Sequence, residues 1–388
     1  MSKVVRQAMV ACLLCAFVAT PLWARTITVH PGGSIRAALA QARSGDRVQV
    51  MPGIYREGSS GDLNALTIDQ SDIELVGLST ERTPVVLESA GGQSFGIWVS
   101  PADSSGPGPE ADPEHPPCGL AGTTVHGFAL AGFTIRGFRL HGVHLACVHG
   151  FSLSRNLAEA NGQYGLFPIV SRDGVISYNE VRGTKTDAAI YVGQSRNIEV
   201  VGNHVHDNLL GIEIENSLDS SVVWNKVHGN SFGIFVDLLP FLEHRQQSDA
   251  LIATNEIYDN NRPNSADPDD VLAVLPQGIG ILLSGADRTI VRDNAVTGNQ
   301  YAGIGVASVC LGLALQGQPC DGLDIEPNPD GNRVVDNLVL GNGLIPLVDP
   351  RLNALRGDLV WDGTGVGNCW RDNRFARSAP SPLPNCQR

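Results

Sequence analysis

Four carboxylates, three aromatic rings and one lysine are spaced so that a single surface would collect them. Glu213 and Glu215 stand two residues apart in Gly211-Ile-Glu-Ile-Glu-Asn-Ser217, and Asp237 closes the similar segment Gly233-Ile-Phe-Val-Asp237. Residues two apart in an extended strand share a face. Carboxylates crowded in this way share a proton or a cation, and crowding raises at least one pKa, which suits general acid or base work. Their oxygens would equally suit Ca2+. Lys185 and Asp187 fall just before Ala189-Ile-Tyr-Val-Gly-Gln-Ser195. A lysine there would serve as base for proton abstraction beside a sugar carboxylate. Phe167, Tyr191 and Phe235 take neighbouring outward positions, and exposed flat rings stack on sugar faces. The expected catalytic set is therefore Lys185, Asp187, Glu213, Glu215 and Asp237, with Phe167, Tyr191 and Phe235 binding substrate. No residue is assigned to a metal by motif: His141, His144, Cys147 and His149, like His204-Val-His206, match no standard ligand spacing. The histidines read as solvated, and Cys147 as a disulfide partner.

Repetition is what would bring these residues together. Gly165, Ala189, Gly211 and Gly233 each open a small-apolar-x-apolar-x word, about 22–24 residues apart. That step is too short for a domain and right for one coil of a solenoid. Between the words runs a second one, Asn-x-Val or its equivalent, at Asn156, Asn179, Asn203, Asn225, Asn255, Asn294, Asn337 and Asn373, with a second Asn five residues later at Asn161, Asn208, Asn230, Asn260, Asn299 and Asn342. Stacked coils place such residues about 4.8 Å apart, so their amides can bond one another and the turn backbone. These asparagines are structural, not catalytic. Alternation turns Ile190 and Val192, Ile212 and Ile214, Ile234 and Val236, Ile279 and Ile281, and Ile304 and Val306 inward. It leaves two exposed columns, one of His144, Phe167, Tyr191, Glu213, Phe235, Gly280 and Gly305. The other holds Ala146, Ile169, Gly193, Glu215, Asp237, Leu282 and Ala307.

The words Asp187-Ala-Ala-Ile-Tyr-Val-Gly-Gln-Ser195, Gly211-Ile-Glu-Ile-Glu-Asn-Ser217 and Gly233-Ile-Phe-Val-Asp-Leu-Leu-Pro240 resemble the right-handed parallel β-helix repeat proteins. That superfamily includes pectate lyases, alginate lyases and C5-epimerases, and the periplasmic copper-site maturation factor of nitrous oxide reductase. The words are closer still to a group of exported bacterial β-helix repeat proteins, from which no catalytic residue carries over. The resemblance implies an all-β, single-stranded parallel β-helix whose open first coil is covered by a helix. Ser34 caps a short helix over 34–42, between a strand at 26–30 and a turn and strand over 44–50, in the place such a cover needs.

Residues 1–24 read as a secretory signal: Lys3 and Arg6, an apolar stretch from Ala8 to Val18, then Leu22-Trp-Ala24 before the cut. Its removal takes the net charge from −13 to −15, which argues against nucleic acid and anionic membranes as partners. No later segment would span a bilayer. Six cysteines remain, and in an exported chain an even count suggests disulfides. Nearness in sequence favours Cys118 with Cys147, Cys310 with Cys320, and Cys369 with Cys386. Residues 25–388 form one β-helix domain, with loop insertions near 101–119, 238–250, 261–276 and 309–331. The whole points to an exported monomer, periplasmic or extracellular, that binds a polysaccharide or modifies it by lyase, epimerase or hydrolase chemistry, with Ca2+ as the one cofactor suggested. The alternative is a non-catalytic structural or binding protein, or one akin to the metal-site maturation factor.

Overall fold

The computed structural model describes residues 24–102, 118, 123–268, 270–346 and 350–387. The predicted signal, apart from residue 24, and most of the insertion at 101–119 lie outside the described residues. The described chain winds into a right-handed parallel β-helix. Its strands form one sheet of 14 and two of 11, every pairing between them parallel. One coil shows the plan: Arg196–Val201 lies in the first sheet, His204–His206 in the second and Leu210–Glu215 in the third. The next coil repeats it in register, Val200 beside Val222, Val205 beside Val227 and Ile212 beside Ile234. These inward side chains are fully buried and belong to one continuous core running the length of the molecule. β-Branched residues dominate because a stack of strands buries them against identical neighbours.

The N-terminal helix is shorter than predicted, Ile35–Leu39, with the Ser34 hydroxyl accepting from the Ala37 amide. Ile35, Ala38 and Leu39 enter the core against the first strands.

Each corner carries its own hydrogen-bonded ladder. From Asn156 to Asn373, each asparagine donates its backbone N–H and its Nδ2 to Oδ1 of the next, at about 3 Å. A second ladder runs Asn208, Asn230, Asn260, Asn299, Asn342 and ends on Oδ1 of Asp358. The third corner uses Ser171, Ser195, Ser217 and Gln247, then Thr289, Asn332 and Asn368. The residue before each first-ladder asparagine turns the chain with a positive φ. It is Gly202 before Asn203, but Tyr178 before Asn179 and Trp224 before Asn225. Side chains in that region cost about 1–2 kcal/mol, which the buried amide bonds offset.

The insertions leave the ladder intact across the wide steps Asn225 to Asn255, Asn294 and Asn337. They carry a 3-10 turn, Val271–Val274, and a helix, Val309–Leu315, capped by Ser308. A further excursion before Gly357, holding the helix Pro350–Ala354, went unpredicted. Cystines join Cys118 to Cys147, Cys310 to Cys320 and Cys369 to Cys386.

One register expectation fails. The third-sheet strand Ile279–Ser284 pairs Ile281 with Ile234 and Leu282 with Phe235. The small residue that opens its word is Gly280, not Gly278. Ile279 therefore turns outward, beside Phe232 and Ala302, and Leu282 replaces Gly280 in the first outward column. Two glycines spaced by one isoleucine offered two starts, and only burial distinguishes them.

Candidate functional site

The outward columns of the third sheet exist as strand pairs: His144 beside Phe167, Tyr191 beside Glu213, Glu213 beside Phe235, and Gly193, Glu215 and Asp237 in series. Their exposure does not. Phe167, Tyr191 and Phe235 are 0–2% exposed and belong to a second hydrophobic cluster with Tyr164, Leu210, Phe232 and Ile279. Leu272, Val271 and Leu275 from the 261–276 insertion pack onto this cluster, as do Cys118, Leu352 and Leu355. The inserted segments roof the face, so the rings are core and offer no platform for a sugar. His141 and His144 are corrected likewise. They are fully buried, their Nδ1 atoms 2.9 Å apart, and His144 stacks on Trp98 at 3.9 Å between ring centres. Burial pushes the His141 imidazole down to about 3 and His144 well below its ordinary value.

Within this roofed face lies an acidic cluster. One carboxylate oxygen from each of Glu213, Glu215 and Asp237 lies within 4.8 Å of the others, and all three residues are buried. Each has a distinct environment. The Tyr191 hydroxyl donates to Glu215 Oε1 at 2.5 Å. Gly193 leaves the space Tyr191 crosses to get there, since a Cβ at Gly193 would sit 2.9 Å from that hydroxyl. Asp187, in the preceding turn, accepts from the Tyr164 hydroxyl at 2.7 Å and from the Ala188 amide. Glu213 Oε2 is buried with no hydrogen-bond partner among the described residues. Burial first, then the charges of Asp237, Asp187, Glu215 and Asp270, hold the Glu213 carboxyl well above the usual carboxylate range.

The cluster thus gathers Glu213, Glu215 and Asp237, with Asp187 close enough to act on it electrostatically. Lys185 stands apart: its side chain is exposed and its carbonyl accepts from Ser265. No contact joins its ammonium to the carboxylates among the described residues. Two participants lay outside the expected set. Tyr164 orients Asp187, and Asp270 comes from an insertion with no repeat to place it.

Three buried carboxylates cannot all be ionised at this separation without a counter-charge. A protonated Glu213 is one solution. A divalent cation is the other, and the unpartnered Glu213 Oε2 among hard oxygen donors fits Ca2+. Glu213, Glu215 and Asp237 would hold it.

Beside the cluster is a cavity of about 230 Å³ with Phe235 and Asp237 on its inner wall. Leu272, Leu282, Val309 and Leu311 are among its apolar lining, and Asp362 also borders it.

Residues 141–318 match the family model described as the right handed beta helix region. No curated protein matches the sequence. Among solved structures, the A-module of a mannuronan C-5 epimerase from Azotobacter vinelandii superposes with a TM-score of 0.57 at 15% identity, covering 89% of this chain and 92% of that one. A tailspike protein mutant of an E. coli bacteriophage, solved with a pentasaccharide, gives 0.52 at 11% identity over 92% of this chain and 57% of its own. A Geobacillus virus protein gives 0.52 at 12% identity, over 88% and 59%. At such identities the likeness is one of fold.

Proposed function

We propose that this chain is an exported protein that binds a polysaccharide and modifies it by lyase- or epimerase-type chemistry at Glu213, Glu215 and Asp237. The observation that carries this reading is Glu213, a buried carboxyl whose Oε2 has no hydrogen-bond partner among the described residues and which other carboxylates crowd, an environment that favours the neutral acid. A neutral Glu213 can give a proton to a glycosidic oxygen. Glu215, oriented by Tyr191, or Asp237 can accept one from the carbon beside a uronate carboxylate. In a lyase step the abstracted C–H pair becomes the new double bond as the protonated oxygen leaves. In an epimerase step a proton returns from the opposite side. Lys185 has no part in this version, because its side chain is exposed away from the cluster. Where Ca2+ rather than a proton neutralises the cluster, Glu213, Glu215 and Asp237 would be its ligands instead of acid and base, and the cation would supply positive charge to a substrate carboxylate. The pentasaccharide-bound tailspike and the mannuronan epimerase share this fold and support a glycan as ligand. Asp237 lines the cavity and so marks the approach to the cluster.

The burial of Phe167, Tyr191 and Phe235 favours a second reading, a non-catalytic structural or binding protein in which the carboxylates merely share protons under the roof. Incubating the purified protein with a panel of uronate polysaccharides, and following ultraviolet absorbance of unsaturated product together with epimer ratio by NMR, separates the two. Turnover abolished by Glu213→Gln/Glu215→Gln is expected. No turnover on any glycan, with binding unaltered in the double variant, would leave the second reading in its place.

A further inference from the structure

Gly305 is an unusual glycine for this molecule. It lies inside the third-sheet strand Ala302–Ala307, in the outward column between Leu282 and Val360. Other strand glycines of the sheet are forced by packing: a Cβ on Gly280 would fall 2.6 Å from the Gly303 carbonyl oxygen and 2.6 Å from Val296. At Gly305 a Cβ would meet Leu282 Cδ1, at a close 3.3 Å from which the end of that flexible side chain must shift by a few tenths of an ångström, and otherwise Ile281 O at 3.9 Å. The φ at Gly305 is ordinary, so the backbone admits a side chain too. Above the missing side chain is the 230 Å³ cavity.

A glycine inside a strand weakens it, and where packing does not require one it marks close approach of something else. The cavity walls point the same way. Val271, Leu275, Leu311 and Leu352 face it and remain half-buried, so the roof gathers apolar side chains without closing them on one another. Apolar cavities of about 150 Å³ stay dry and take up benzene, so this one has room for about nine carbon atoms. At its inner end Phe235 and Asp237 belong both to the cavity and to the carboxylate cluster's strand. A ligand filling it would have its apolar part over Gly305 and its polar part at Asp237, the member of the carboxylate cluster that borders the cavity.

We infer that the cavity over Gly305 binds an acyl or alkyl substituent of the glycan whose sugar reaches Glu213, Glu215 and Asp237. This rests on the glycan reading above and narrows its substrate class to glycans bearing an apolar group. The ring hydroxyls would meet carboxylate acceptors, and the chain would replace the dispersion contacts that the glycine forgoes.

The test uses n-octyl β-D-glucopyranoside below its micelle concentration, with 1-octanol and an unsubstituted oligosaccharide as parallel probes, by isothermal titration calorimetry on the full mature protein. The parent should bind the alkyl glycoside more tightly than octanol. Gly305→Leu, which fills the space, should weaken that binding more than about tenfold, as expected for excluding two or more methylenes, while melting no lower than the parent. If Gly305→Leu fails to fold, Leu311→Trp fills the cavity from the roof and is expected to act the same way. Unchanged alkyl glycoside binding in the filled variant overturns the inference. So does octanol binding as tightly as the glycoside. An unsubstituted glycan turned over equally by parent and Gly305→Leu, with no alkyl glycoside binding, overturns it while leaving the carboxylate centre standing.

Discussion

On the second sheet, successive coils present Glu159, Arg182, His206, His228 and Tyr258 outward. On the third sheet the same coils present Phe167, Tyr191, Glu213, Phe235 and Leu282. Both columns arise from one alternation, and both stand opposite fully buried valines and isoleucines. Yet the first stays at the surface, joined by partly exposed ion pairs such as Arg182 to Glu159 at 2.8 Å. The second is covered from Phe167 to Phe235, with a carboxylate inside it, and only Leu282 is partly exposed. The difference lies in segments that do not repeat. Alternation determines which half of a strand enters the core of the helix. Whether the other half meets water depends on chain inserted between coils.

The largest consequence of that contrast is in stability. Phe167→Ala or Phe235→Ala should cost about 3–5 kcal/mol, the range for a large buried ring, whereas Tyr258→Ala on the open sheet should stay below about 1 kcal/mol. Equal losses in denaturant melts would mean the third-sheet roof is not seated in solution. Next comes the ladder, which serves both sheets: Asn203→Leu should cost about 1–3 kcal/mol by orphaning buried amides, and a parent-like melt would show the ladder contributes nothing.

The third contrast is in pH. Glu213 has a folded pKa raised above 4.5, so the folded state keeps a proton the unfolded chain has lost. Stability contributed by the neutral acid is present below pH 4.5 and lost as pH rises toward the raised value, at about 1.4 kcal/mol per pH unit. His141 runs the other way. Its folded pKa falls from 6.5 to about 3, so its contribution is present above pH 6.5 and lost as pH falls toward 3. Melting temperature against pH should therefore fall off on both sides, and Glu213→Gln should flatten only the alkaline limb. An alkaline limb unchanged in that variant would argue that a cation, not a proton, neutralises the cluster. The smallest effect belongs to the open face: Arg182→Ala should cost under about 1 kcal/mol and less in high salt. A larger, salt-insensitive loss would make that face part of a covered interface after all.

Much of the fold was legible because it is periodic. The Asn words and the isoleucine pairs at 190/192, 212/214 and 234/236 carry register in residue type alone, and the hydrogen bonds follow them. The strand at 279–284 marks where this ends, since Gly278-Ile-Gly280-Ile reads equally well in two registers. At the site, the convergence of Glu213, Glu215 and Asp237 followed from register, but their burial could not. Leu272, Asp270 and Leu311 sit in insertions with no repeat, so nothing in their spacing says which face they cover. The clue that was present is compositional: three aromatics in successive outward positions are few for a wet sheet, and buried ones need a roof.

The second ladder closes on Asp358 rather than on another asparagine. Its Oδ1 accepts from Asn342, and its Oδ2 accepts the amides of Ala376 and Arg377. Every amide in that row donates toward the C-terminus, so their dipoles add, and the row's positive pole faces Asp358. The carboxylate there plays the part that an acidic side chain plays at the start of an α-helix. The backbone dipoles of the β-helix run along its axis, coil to coil, but alternate in sense along each strand and largely cancel, so the molecule acquires an axial polarity from side chains. An asparagine at 358 could keep Oδ1 for the last rung, but its Nδ2 would face the Ala376 and Arg377 amides donor to donor, so the change would remove both the charge that terminates the row and the acceptor those amides use.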